Sequence, residues 1–269
     1  MQKGINLAEL ARRVTANQEL KRDLIADTRK TELVVDDDKT LSLKIDGQGR
    51  FPVLQHAHRQ IGGHVGIHAS YYDRMRTEAP ELLARNVNHW LQAAPSRRMV
   101  RTLGGDTRAF LSDRYNRIEN EEILSAALPA LWALPDVQVI STELTDRRMY
   151  IQAVTPRVAG EIMVGDEVQA GVIISNSEIG AGTVQVAAML YRLRCSNGMV
   201  AADRFRAYHV GRQVEDTEAL WRDDTRAADD RAVLLKVRDM VADAVNSVRF
   251  AERVDRLREL TNQRVTGIP

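Results

Sequence analysis

The sequence predicts an α+β domain: a central, mostly antiparallel sheet flanked by N-terminal and C-terminal helices. Three observations predict it. Both ends of the chain carry apolar residues at helical spacing. The middle alternates short β-like runs with glycine turns. One run, Val184 to Cys195, is apolar on both faces, which is how a central strand covered twice reads.

The first helix spans Ile5 to Ile25. Leu7, Leu10, Ala11, Val14, Leu20 and Leu24 recur at threes and fours, and Asn6 offers a cap. Two short β-like runs follow, Glu32 to Val35 and Thr40 to Ile45, and Asp46-Gly47-Gln48-Gly49 closes the second as a turn. From Val53 to Ala94 the chain is helical in three pieces. Gly62-Gly63 separates the first from His68 to Thr77, and Pro80 opens the third at an early helical position.

The runs Arg97 to Leu103 and Thr107 to Ser112 are joined by Gly104-Gly105-Asp106, a hairpin signal. Glu121 to Leu134 returns to helix, with Asn120 as cap and two glutamates in the first turn, where the helix dipole favours them. Val137 to Leu144, Arg148 to Val154 and Ala170 to Ser175 complete the β-rich centre. From Asp216 to Arg264 the spacing of Leu234, Val237, Val241, Ala244, Val248, Ala251, Val254 and Leu257 predicts one long amphipathic helix, for packing or for an oligomer seam.

Composition narrows the function classes. The 269 residues hold 38 basic against 37 acidic side chains, a formal charge of +1, so any grip on a polyanion must come from a local patch. Cys195 is the single cysteine, which excludes an internal disulfide and any multi-cysteine metal site. No apolar run is long enough for a membrane span, and Met1-Gln2-Lys3-Gly4 does not lead into a signal peptide's apolar core. The expectation is a cytoplasmic protein.

Three groups of residues bear chemistry. His56, His58, His64 and His68 are the only dense set of metal-capable side chains, but no acid joins them before Asp73 and their spacing does not converge, so no metal is expected. There is no phosphate-binding glycine loop, because Gly180-Ala181-Gly182-Thr183 lacks the lysine and the helix, and no cofactor is implied. Polar residues gather at Asn176, Ser177 and Glu178 and again at Cys195, Asn197 and His209. Their bland role is to satisfy turns and fill packing; the sharper one is a Glu178 that holds a cation or pairs with an arginine, and a Cys195 nucleophile with His209 as base. Arginine and tyrosine form the third group. In the run from Arg148 to Val154, alternation places Arg148, Tyr150 and Gln152 on one face, the combination that base stacking and phosphate contact need. Arg114, Tyr115, Arg192 and Arg194 extend that set.

Several motifs, in order, resemble a known family. They are Tyr71-Tyr72-Asp73-Arg74-Met75, Asn88-His89-Trp90-Leu91 and Arg108-Ala109-Phe110-Leu111-Ser112-Asp113-Arg114-Tyr115 with Asn120 after it. Ser175-Asn176-Ser177-Glu178-Ile179-Gly180 and Cys195-Ser196-Asn197-Gly198-Met199-Val200 with His209 complete them. Together they resemble the phage/plasmid-like protein family, domain of unknown function 932. The resemblance divides the chain into an N-terminal helix and hairpin (1–52), a core (53–211) and a C-terminal helix (212–269). It implies residence on mobile elements and a part in DNA recombination or maintenance.

Two readings of function stand. One is a non-enzymatic, homo-oligomeric protein that binds nucleic acid, single-stranded DNA above all, through Arg148, Tyr150, Arg114, Tyr115, Arg192 and Arg194. The other is an enzyme of unknown reaction using the loops at 175–180 and 195–209, or a module that binds a host protein.

Overall fold

A computed structural model describes residues 3–193, 199–207 and 223–262. Chain order begins with β1 (Lys3–Gly4), α1 (Leu7–Leu20) and β2 (Lys21–Asp27), then a meander of β3 (Thr31–Val35), β4 (Leu41–Ile45) and β5 (Gly49–Pro52). Helices α2 (Gln55–His64), α3 (Ala69–Glu78) and α4 (Pro80–Ala93) precede the hairpin β6 (Arg97–Leu103) and β7 (Asp106–Ser112). Helix α5 (Asn120–Trp132) leads into β8 (Gln138–Leu144), β9 (Met149–Glu161), β10 (Glu167–Asn176), β11 (Val184–Arg192) and β12 (Met199–Ala207). The described chain closes with α6 (Asp223–Ala244) and α7 (Ser247–Asn262).

The α+β class holds, with the β structure divided among three sheets. Their orders are β1-β8-β9-β10-β11-β12, β2-β6-β7 and β3-β4-β5. All strand pairs are antiparallel except β1 with β8. One face of the six-stranded sheet, with Met149, Ile151, Val172, Ile174 and Val186, packs on α1, α5 and α6 through Leu10, Ile123, Leu131, Val237 and Val241. A second core joins the two small sheets to α2, α3 and α4 through Leu33, Leu43, Ile61, Leu83, Val100 and Phe110. As the two-faced apolar pattern predicts, β11 is buried on both sides: Val186 and Ala188 on one, Ala187 and Met189 on the other.

Several expected boundaries move. The N-terminal helix stops at Leu20, not Ile25, because Lys21 to Asp27 pairs residue for residue with Leu103 to Arg97. Strand pairing there outweighs the helical spacing of Leu20 and Leu24. Asn6 does cap α1, its Oδ1 accepting from the Glu9 N–H at 2.7 Å. Gly62-Gly63 does not break α2. Gly62 lets the Tyr72 ring approach so closely that an added Cβ would lie 2.8 Å from it. The cap of α5 is Glu119, while Asn120 enters the helix and turns its side chain to Asn176.

The C-terminal helix is two helices. Asn246 Oδ1 accepts from the N–H groups of Val248 and Arg249, starting α7 afresh. The register therefore slips, and Val248 and Ala251, expected on the apolar stripe, are exposed. Strands β1, β5 and β12 were not expected from the pattern.

Candidate functional site

The Ser-Asn-Ser-Glu motif closes β10 at the junction of the two cores. Asn176, Ser177 and Glu178 are all buried. Asn176 donates to the Ile118 carbonyl at 3.0 Å and to Asn120 Oδ1 at 2.9 Å, tying the strand end to the start of α5. Ser177 Oγ accepts from the Ala181 N–H at 3.0 Å and closes the following loop. These are the turn-satisfying roles open to such residues.

Glu178 sits in a buried ionic network. Its carboxylate meets Lys21 Nζ at 2.5 Å and Arg108 Nη1 at 2.8 Å, and it accepts from the Asn120 N–H at the α5 N-terminus. Arg101, 1% exposed, donates to the Glu178 carbonyl and pairs with Asp23 and Glu119. Lys21 also reaches Glu119 at 2.9 Å. Three cations, Lys21, Arg101 and Arg108, thus face three carboxylates, Asp23, Glu119 and Glu178.

Position 108 enters this network through a β-bulge. Arg101 opposes Ala109 and Thr102 opposes Thr107, so Arg108 is the extra residue of its strand. Unbroken alternation would put it on the Phe110 side, in the second core; the bulge turns its guanidinium to Glu178. Burial works to raise the Glu178 carboxyl, but Arg108 and Lys21, aided by the Asn120 N–H, prevail and hold it at about 2.

The loop that follows, residues 177–182, is held from every side. Its backbone at Gly180 takes φ +73°, and an added Cβ would lie 2.9 Å from Leu111. Gln60 Nε2 donates to the Ile179 carbonyl at 2.8 Å, and His56 Nε2 binds the same carbonyl at 3.0 Å. The Tyr115 hydroxyl accepts from the Gly180 N–H at 3.1 Å and donates to the Ser177 carbonyl. Burial raises the Tyr115 phenol. Tyr115 is therefore a pin of this loop.

This loop forms one wall of a cleft of about 500 Å³. The first turn of α2 and the β8–β9 hairpin form the others, with His56, Glu143, Arg147, Arg148 and Tyr150 lining it. Arg148 Nε and Nη2 donate to the Ala181 carbonyl at 3.2 and 2.5 Å. Arg147 Nη2 reaches His56 Nδ1 at 3.4 Å. Because Nε2 of His56 faces a carbonyl and Nδ1 faces a guanidinium, the neutral ring protonated at Nε2 fits both partners. Burial lowers the His56 pKa, and Arg147 and Arg59 lower it further, in accord with that neutral form. Tyr150 is half-buried, its hydroxyl accepting from Gln152 Nε2 at 2.8 Å.

Of the expected contact residues, the fold brings Arg148 and Tyr150 together. Arg114 is exposed in the turn after β7. Arg192 lies elsewhere: Tyr150 aligns with Ser175 and Gln185, and Arg192 is seven residues farther along β11, about 23 Å. It is also paired with Asp166 at 2.8 Å. Arg194, Cys195, Asn197 and His209 lie outside the described residues. Arg147, Glu143 and His56 are the cleft residues that sequence reasoning missed as a group. The signal for Arg147 was its place beside Arg148 in the hairpin turn. Nothing local linked His56 to it, 91 residues away. Among the described residues no three of His, Cys, Asp and Glu converge as metal ligands, and no helix is long and apolar enough to cross a membrane.

No curated protein and no solved structure matches the chain significantly. A family model, domain of unknown function (DUF932), matches residues 109–261. That span runs from β7 through the buried Asn-Ser-Glu motif and the cleft hairpin to α7, more than half of the chain. By this match, the chain belongs to the DUF932 family.

Proposed function

We propose that the protein binds single-stranded DNA, without acting on it chemically, through the cleft between α2, the β8–β9 hairpin and the 177–182 loop. One observation carries this reading. Arg147 and Arg148 line the cleft with no carboxylate partner among the described residues, whereas Arg108, Arg117 and Arg192 are each held by one and Arg101 by two. Guanidiniums without a carboxylate suit phosphate oxygens. The half-buried Tyr150 ring beside them offers a base a stacking surface. The cleft volume is that of a site for one small ligand or one segment of a strand.

A formal charge of +1 gives a single chain little attraction for a polyanion at a distance. A homo-oligomer presenting several clefts to one strand overcomes this through effective concentration. In this reading the protein serves recombination or maintenance of mobile DNA in the cytoplasm, a role that its resemblance to phage and plasmid proteins supports. The buried, fully engaged state of Asn176, Ser177 and Glu178 favours this reading over an enzyme built on that loop. Fluorescence anisotropy with labelled dT strands tests it. Binding that weakens as salt rises supports it, and absence of binding at low salt overturns it.

A further inference from the structure

The cleft contains one acid, Glu143, and its position is informative. Glu143 and Tyr150 are directly opposed on β8 and β9, which puts their Cβ atoms about 5 Å apart on one face of the sheet. Both line the cleft. Glu143 is exposed and has no hydrogen bond or ion pair among the described residues, although two guanidiniums line the same cleft. Those guanidiniums are drawn aside, Arg148 to the Ala181 carbonyl and Arg147 to His56. A free carboxylate there repels phosphate and weakens general binding. Such a cost fits a group that discriminates among ligands.

We infer that Glu143 reads the base stacked on Tyr150 and selects guanine. This rests on the strand-binding reading of the same cleft. The phenol of Tyr150 accepts from Gln152 Nε2, which restrains its ring, and a base stacked on that ring with its Watson–Crick edge toward β8 would meet Glu143. Guanine carries two adjacent donors on that edge, N1–H and the N2 amino group. A carboxylate offers two acceptor oxygens in a matching fork. Adenine and cytosine set one amino donor beside a ring-nitrogen lone pair, which faces the second carboxylate oxygen unfavourably. Thymine has its N3–H between two carbonyls. Only guanine satisfies both oxygens.

The test measures binding of the full-length chain to short fluorescein-labelled dT strands carrying a single central dG, dA, dC or dI. The dG strand is expected to bind about tenfold tighter than the dA, dC and all-dT strands, the discrimination of a bidentate base contact. The dI strand, which lacks the N2 amino group, should lose most of that advantage. Glu143→Gln presents one acceptor and one donor and should bring the dG-to-dT ratio close to one. Equal affinity for all strands overturns the inference and leaves strand binding standing. A dG preference that survives in E143Q also overturns it, since another group then reads the base. Failure of every strand to bind overturns both this inference and the reading beneath it.

Discussion

The ammonium of Lys21 lies 2.5 Å from the carboxylate of Glu178, across 157 residues of chain. Lys21 opens β2, whose sheet packs into the second core, and Glu178 follows β10 of the large sheet. With Arg101, Arg108, Asp23 and Glu119, the pair clamps the two cores where they meet. The clamp also sets the loop that walls the cleft, since Arg101 holds the Glu178 carbonyl and Glu178 begins the turn to Ala181.

Removing one charge from this clamp should be costly. Glu178→Gln keeps the side-chain size but leaves Lys21 and Arg108 without their shared buried counter-charge. Arg108 has no other ion pair, and its Nε and Nη2 have no partner among the described residues. We expect a loss of about 3 kcal/mol, read as a lower urea midpoint at unchanged m value. Arg117→Ala removes an exposed partner of Asp23 and should cost less than about 1 kcal/mol. Equal effects of the two substitutions would show that the buried clamp has no special weight.

Stability should fall with pH in two stages. Burial, with Arg76 nearby, depresses His58 from 6.5 to about 4, against the opposing pull of Asp73. The unfolded chain therefore takes a proton below pH 6.5 that folded His58 refuses, and stability drops between 6.5 and about 4. Glu178, held at about 2 against an ordinary 4.5, adds a second loss between 4.5 and about 2, as the unfolded carboxylate protonates first. Asp23, also lowered against its burial by Arg101 and Arg117, contributes in the same sense. Urea midpoints across both windows check this. His58→Asn should shrink the first stage, leaving the part that His56 and His64, also lowered by burial, contribute, and should leave the second unchanged.

Arg148→Ala should weaken DNA binding and lessen its salt dependence. Each phosphate contact on a single strand contributes a slope of about −0.7 in log K against log salt. Losing Arg148 should therefore reduce the slope by about that amount. Arg192→Ala, at the far end of the sheet and paired with Asp166, should leave the slope unchanged. A change as large as that of R148A would place contacts well beyond the cleft.

Two glycines should respond differently to alanine. At Gly171 an added Cβ would lie 2.6 Å from the Ala153 carbonyl oxygen and 2.8 Å from Met189 Cε. A paired strand cannot yield there, and G171A should cost about 1–3 kcal/mol in thermal or urea unfolding. At Gly182 the added Cβ would meet only the Arg148 guanidinium, at 2.7 Å. That side chain can swing away, so G182A should cost less than about 0.5 kcal/mol. The same substitution displaces Arg148 from the Ala181 carbonyl, so strand affinity should change while the melting point does not.

The elements that follow from local rules were legible in the sequence. Apolar spacing identified the helices from Pro80 to Ala93 and at the start of α1, and Asn6 announced its cap. The glycine pair at 104 and 105 announced the β6–β7 hairpin, and β11 was recognisable because a strand covered on both sides needs apolar residues on both. The same residues also placed Arg148 and Tyr150 close together, since they are neighbours on one hairpin. Tertiary structure alone decided which polar residues are buried and with whom. Lys21 appeared as the polar face of a helix until strand pairing with Leu103 made it the start of β2. Arg108 reaches Glu178 only through a bulge, and the Tyr115 hydroxyl pins a loop 65 residues away. Charge and aromaticity are properties of a residue, but exposure and partnership depend on segments brought together from far along the chain. Local periodicity carries no information about which distant carboxylate will meet a given cation.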